Sequence, residues 1–153
     1  MSRLKRCLTA VWITISIEDV MEHWIFISSE KRFRMGDWLA KNDYVEFKQI
    51  NHLSVNDIVY LYTTAPIQRI EYKMIVDKVD IPFKDSIDDS AYSLRKSSPH
   101  SADEKFIRLK LIKKTDAQEL HLSKLRLYGE NTSMQGNHRV EGDLLEYIDS
   151  FFK

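Results

Sequence analysis

Asp43, Glu46 and Lys48, in the run Asp43-Tyr44-Val45-Glu46-Phe47-Lys48, are the residues that most invite a chemical reading. Carboxylates followed by a lysine on a strand are how one large nuclease class holds Mg²⁺ and activates water. The same acid-x-Lys spacing recurs at Glu71-Tyr72-Lys73, and in a chain with 23 acidic and 23 basic residues such triplets arise readily. Alternating Glu, Phe and Lys also describes a half-exposed strand. The triplet therefore reads as strand first, and a Mg²⁺-dependent nuclease using Glu46 and Lys48 stays as the catalytic alternative. Other metal chemistry lacks ligands at workable spacing. None of His23, His52, His100, His121 and His138 falls within five residues of another His or of Cys7, whereas zinc sites need clustered ligands. No Ser sits in a Gly-x-Ser-x-Gly turn, and the four glycines form no phosphate-cradling fingerprint. The expectation is a protein without catalytic residues, metal or cofactor.

A second pattern is a concentration of rings beside cations: Trp24, Phe33, Trp38, Phe47, Tyr60, Tyr62 and Tyr72 with Lys31, Arg32, Arg34, Lys48, Arg69 and Lys73. Aromatic faces that stack a base next to charges that hold its phosphate are what nucleic-acid binding requires. The same rings are also what a small barrel needs to fill its interior, so the pattern alone does not separate the two uses. The formal net charge of zero argues against coating nucleic acid by bulk electrostatics and leaves room for a local basic groove.

These residues must be positioned by strands. Period-two patterning predicts strands over Trp24–Ile27, Tyr44–Gln49, Asp57–Thr64, Arg69–Asp80 and Lys105–Lys113. In the third, Ile58, Tyr60 and Tyr62 share one face, and Val59 and Leu61 the other. The strands read as an antiparallel run. Short helices are expected over Gly36–Lys41, over Leu122–Tyr128 with Ser123 as N-cap and Gly129 as stop, and over Glu141–Phe152. Residues 82–103 are polar and rich in Ser and Asp, and form a long loop of the kind that is more often functional than structural. Several strands with short helices between them give the expected class, α+β with a small β-barrel.

Composition sets the outer bounds. With 153 residues, 43% of them apolar, the chain makes one domain with a real core. No apolar run approaches the roughly 20 residues of a membrane helix, and a lone Cys7 forms no internal disulfide, so the cytoplasm is the default address. Residues 1–21 read as an extension of doubtful role, basic over Ser2–Arg6 and apolar over Cys7–Ile17. That order resembles a secretory signal but lacks a small-residue cleavage site. Met21 is an alternative start. The extension is either dispensable or an extra element packing through Trp12, and the domain proper spans residues 22–153.

Four segments in order, His23-Trp24-Ile25-Phe26-Ile27-Ser28-Ser29, Tyr44-Val45-Glu46-Phe47-Lys48-Gln49, Ser54 to Pro66 and Tyr72 to Pro82, closely resemble the EVE domain family of the PUA-like superfamily. The stretch Leu125 to Ile148, with Tyr128-Gly129, Gln135-Gly136 and Arg139-Val140, resembles the tail of a bacterial branch of that family whose members stand alone or are fused to nucleases. The resemblance implies a small mixed β-barrel, a pseudo-barrel of five to six strands flanked by short helices, and a non-catalytic pocket that accepts a flipped, modified base, a modified cytosine or adenine in DNA ahead of RNA. It also implies a setting in modification-dependent restriction or defence, with a separate nuclease as possible partner and no membrane. Carried over by position, the base pocket is Ser28, Ser29, Phe47, Gln49, Tyr62, Thr63 and Thr64, and the phosphate contacts are Lys48, Arg69 and Arg139. Phe47 stands where the family more often has Trp, and Asn56 where it generally has Gly. A small-molecule or nucleotide-derivative binder using the same cavity is the remaining alternative.

Overall fold

The computed structural model describes residues 21–49, 52–94, 104–130 and 134–153. Residues 1–20, including Cys7 and Trp12, lie outside them, as does 95–103 of the long loop. Six strands form: β1 (His23–Ser28), β2 (Tyr44–Lys48), β3 (Ile58–Thr63), β4 (Arg69–Pro82), β5 (Lys105–Lys114) and β6 (His138–Arg139). Three helices accompany them: α1 (Met35–Lys41), α2 (Leu122–Leu125) and α3 (Gly142–Asp149). The strand order is β2-β5-β4-β3-β1-β6 in one mixed sheet, so the fold is α+β.

The antiparallel expectation fails at one pair. β1 runs parallel to β3, from His23 opposite Ile58 to Ser28 opposite Thr63. A parallel pair needs a long crossover, and α1 with β2 supplies it. Because β1 and β3 end together, the loops leaving Ser28 and Thr63 emerge side by side.

The sheet curls on itself. In a flat sheet four strand spacings would put β2 roughly 19 Å from β1, yet the rings of Phe47 on β2 and Phe26 on β1 are 5.6 Å apart. The result is an open barrel whose edges, β2 and β6, share no ladder. Alternation along β3 divides two cores. Val59 and Leu61 join Trp24, Phe26, Trp38, Val45, Met74 and Leu109 inside the barrel. Ile58, Tyr60 and Tyr62 join Ile25, Ile70, Leu125, Leu144 and Ile148 under the helices outside it.

Two local details depart from the sequence reading. His121, not Ser123, caps α2, its Nδ1 accepting from the Ser123 amide at 3.1 Å. The expected helix over Leu122–Tyr128 tightens into a 3₁₀ turn after Leu125 and stops at Gly129, whose φ is +112°. Asn56 takes φ 80°, the left-handed conformation that Asn tolerates better than other side chains with a Cβ. That turn delivers Asp57, whose buried carboxylate accepts from the amides of Glu22 (3.1 Å) and Ser54 (3.0 Å) and from Trp24 Nε1 (3.4 Å).

Candidate functional site

The paired ends of β1 and β3 open onto a cleft of about 250 Å³ lined by Ile27, Ser28, Ser29, Arg32, Phe33, Met35, Val45, Glu46, Phe47 and Asp89. Each wall has a local cause. Alternation on β1 turns Ser28, after Trp24 and Phe26, toward the barrel interior. On β2 it turns Val45 and Phe47 inward, where Phe47 meets Phe26 edge-on. Phe33 is held between Trp38 and Tyr92, with ring centroids 6.3 Å from each. Met35 opens α1, where the Glu30 carboxylate accepts from the Met35 amide at 2.8 Å and the Gly36 amide at 3.3 Å. Asp89 comes from the described part of the long loop, which is anchored by the bridge from Phe33 to Ser93.

Chemically, the cleft is an apolar slot with polar points. The hydroxyls of Ser28 and Ser29 have no side-chain hydrogen bond among the described residues. Glu46 is committed differently. Its Oε2 accepts from Arg108 Nη2 at 2.7 Å and Nε at 3.0 Å, and its Oε1 accepts from the Ile87 amide at 2.9 Å. With its side chain 2% exposed, this carboxylate has committed three of its roughly four lone-pair sites within the fold. Among the described residues no cluster of three or more His, Cys, Asp or Glu could hold a metal ion. Through Arg108, its partner across the ladder, Glu46 braces β2 against β5.

A second cavity, of about 560 Å³, adjoins the first through Ile27, Ser29 and Arg32 and continues along Thr64, Met134, Gln135, Gly136 and Asn137. Asn137 is pinned there, its Oδ1 accepting from the Ile27 amide at 3.0 Å.

The structure brings Ser28, Ser29, Phe47 and Thr64 to these two cavities and places the other expected pocket residues elsewhere. Tyr62, 2% exposed, lies on the outer face of β3 beneath the helices, where burial raises its phenol pKa against the opposing pull of Arg126. Thr63 is buried and donates to Glu71 Oε1 at 2.7 Å. Gln49 spends both amide atoms on Asp80, at 3.1 and 2.7 Å. The three expected phosphate contacts are all ion-paired: Lys48 with Glu104 (3.4 Å), Arg69 with Glu71 (3.0 Å) and Arg139 with Glu22 (2.8 Å). Arg139 also covers the Trp24 ring, at the opposite end of β1 from the cleft. Sequence reasoning passed over Arg32 as a site residue, although it follows the strand-end serines by three positions and is the cation lining both cavities.

Polar groups underlie the cleft end. Tyr72 is pushed up to about 12 by burial and by the charges of Glu71 and Glu30, against the pull of Arg69, so its hydroxyl stays protonated at neutral pH. Arg69 Nε is a buried atom without a hydrogen-bond partner.

No family model and no curated relative matches the chain by sequence. Solved structures do match by shape. A hypothetical protein from Leishmania major superposes with a TM-score of 0.60 at 17% identity, covering 85% of this chain and 93% of its own. The ASCH protein from Zymomonas mobilis gives 0.57 at 10% identity, over 84% and 94%. The DUF55 domain of human thymocyte nuclear protein 1 gives 0.55 at 10% identity, over 84% and 96%. ASCH and DUF55 domains are PUA-like folds, and this chain shares that fold. No helix among the described residues is long and apolar enough to cross a membrane.

Proposed function

We propose that the protein is a non-catalytic module of the EVE type that reads a modified base in nucleic acid, DNA ahead of RNA, by taking the flipped base into the cleft at the ends of β1 and β3. One observation carries the reading: a slot walled by Phe33, Phe47, Met35 and Val45 has the unpartnered hydroxyls of Ser28 and Ser29 at its mouth. A flipped base forfeits a few kcal/mol of stacking and pairing. Flat apolar faces and edge-directed hydroxyls are what return it. The slot is smaller than the roughly 300–1,000 Å³ typical of drug-sized ligand sites, which favours a single heterocycle over a larger metabolite. The committed Glu46 weighs against Mg²⁺-dependent cleavage. Action in modification-dependent restriction, with cleavage left to a separate nuclease, is part of the same proposal.

Titration with oligonucleotides carrying methylated, hydroxymethylated or unmodified cytosine tests this reading. Modification-dependent affinity is expected, and equal affinity for all three overturns it. Phe47→Ala should lower affinity between about fivefold and a hundredfold, given about 1–3 kcal/mol per stacked base. Phe47→Leu keeps apolar volume but removes the flat face, so it should lose much of the same affinity while melting near wild type. Mg²⁺-dependent cleavage abolished by Glu46→Ala would favour the nuclease instead.

A further inference from the structure

Base recognition uses one cavity, and the larger one beside it has no part in that reading. Its lining is polar where the slot is apolar. Thr64 and Gln135 have no side-chain hydrogen bond among the described residues, and Arg32 has no ion-pair partner among them. Gly136 presents bare backbone, since a Cβ added there would meet nothing within 4 Å. Three separate chain segments converge here: the turn after β1, the turn after β3 and residues 134–137. A volume of about 560 Å³ is ample for a sugar and phosphate.

Charge gives the direction. Beyond the base cleft, a third cavity is lined by Glu46, Asp88 and Asp89, with no cation among its described lining residues; Glu46 is already paired with Arg108, and the Ser90 hydroxyl and amide hold the Asp88 carboxyl below its usual range. A polyanion leaving the base slot meets Arg32 in the second cavity and no described cation in the lining of the third.

We infer that the groove of Arg32, Thr64, Gln135 and Gly136 is the subsite for the sugar and phosphate of the nucleotide flanking the flipped base, with Arg32 as the phosphate contact. The inference rests on the reader proposed above. It moves the phosphate role from Lys48, Arg69 and Arg139, each of which has a carboxylate partner, to a cation with none among the described residues.

NMR titrations with two probes test it: 5-methyl-2′-deoxycytidine, which carries no phosphate, and a short DNA duplex bearing one 5-methylcytosine. Arg32→Ala should weaken duplex binding about tenfold, more than it weakens nucleoside binding. It should also flatten the slope of log affinity against log salt by about 0.9, the value for one phosphate. Gly136→Ala, sterically free in the unbound protein, should weaken the duplex alone by crowding the strand. Equal losses for both probes in Arg32→Ala, or an unchanged salt slope, would overturn the subsite. If Phe47→Ala abolishes binding of both probes while Arg32→Ala and Gly136→Ala are silent, the reader stands and only the flanking groove fails. If neither probe nor its hydroxymethylated counterpart binds the wild-type protein, both proposals fall.

Discussion

The two ends of β1 are built on opposite rules. At its start the carboxylates are engaged: Asp57 takes three donors and Glu22 holds Arg139, while His23 stacks on Tyr60 with ring centroids 6.3 Å apart. Beneath that stack, Asp149 accepts from Tyr60 at 2.8 Å and from Lys73 at 2.6 Å, tying α3 to the sheet. At its end the hydroxyls of Ser28 and Ser29 face a cavity. Neither hydroxyl oxygen is a buried atom lacking a partner, as Arg69 Nε is, so both stay open to bond a ligand entering the concave apolar surface. One strand therefore serves as an anchor at one end and as a docking surface at the other.

Substitutions should separate the two ends cleanly. The largest effect is expected from Asp57→Ala, which strands three donors; urea unfolding should show a loss of about 3 kcal/mol or more. Next is Asp149→Asn, expected to remove about 1 kcal/mol at neutral pH by weakening the Lys73 and Tyr60 bonds. Burial alone would raise the Asp149 carboxyl, but bonding to Lys73 and Tyr60 holds it below its ordinary value. Its contribution is therefore present above the unfolded pKa of about 3.9 and lost as pH falls through the folded one. Asparagine should flatten the stability curve in that acid window.

A smaller pH effect belongs to His23. Burial lowers its pKa, with Lys73 assisting and Asp149 and Asp57 opposing. The unfolded chain then takes up the proton first as pH drops below about 6.5, so stability should decline from there toward the folded value. His23→Gln should erase that decline in denaturation series run between neutral and mildly acid pH. The smallest effect on the fold is expected at the open end. Ser28→Ala should change stability by no more than about 0.5 kcal/mol while weakening binding of the modified oligonucleotide. A large destabilisation there would mean the hydroxyl is structural and would erase the contrast between the two ends.

Much of the frame was legible from local chemistry. Ile58, Tyr60 and Tyr62 alternate with Val59 and Leu61, and Gly129 ends its helix, because a period of two and a left-handed stop are properties of a few neighbouring residues. The expected pocket mixed two kinds of position. Ser28 and Phe47, which the resemblance implies by position, do line the cleft. Tyr62 was chosen as a ring near a strand end, but which face of β3 becomes the barrel interior depends on where α2 and α3 dock. The phosphate candidates were chosen as cations, and charge is visible in a sequence, whereas its neutralisation is not. Glu104 for Lys48 and Glu22 for Arg139 come from distant positions in the chain.

By itself the sequence determined the α+β class, the strands and their alternation, and a concentration of rings beside cations, since these follow from nearest-neighbour periodicity and side-chain type. Only the tertiary structure decided that β1 runs parallel to β3, that Glu46 is locked to Arg108, and that Arg32 rather than Arg69 faces the groove. Those outcomes depend on which strands pair and how far the sheet curls, and both are set by packing between residues far apart in the chain.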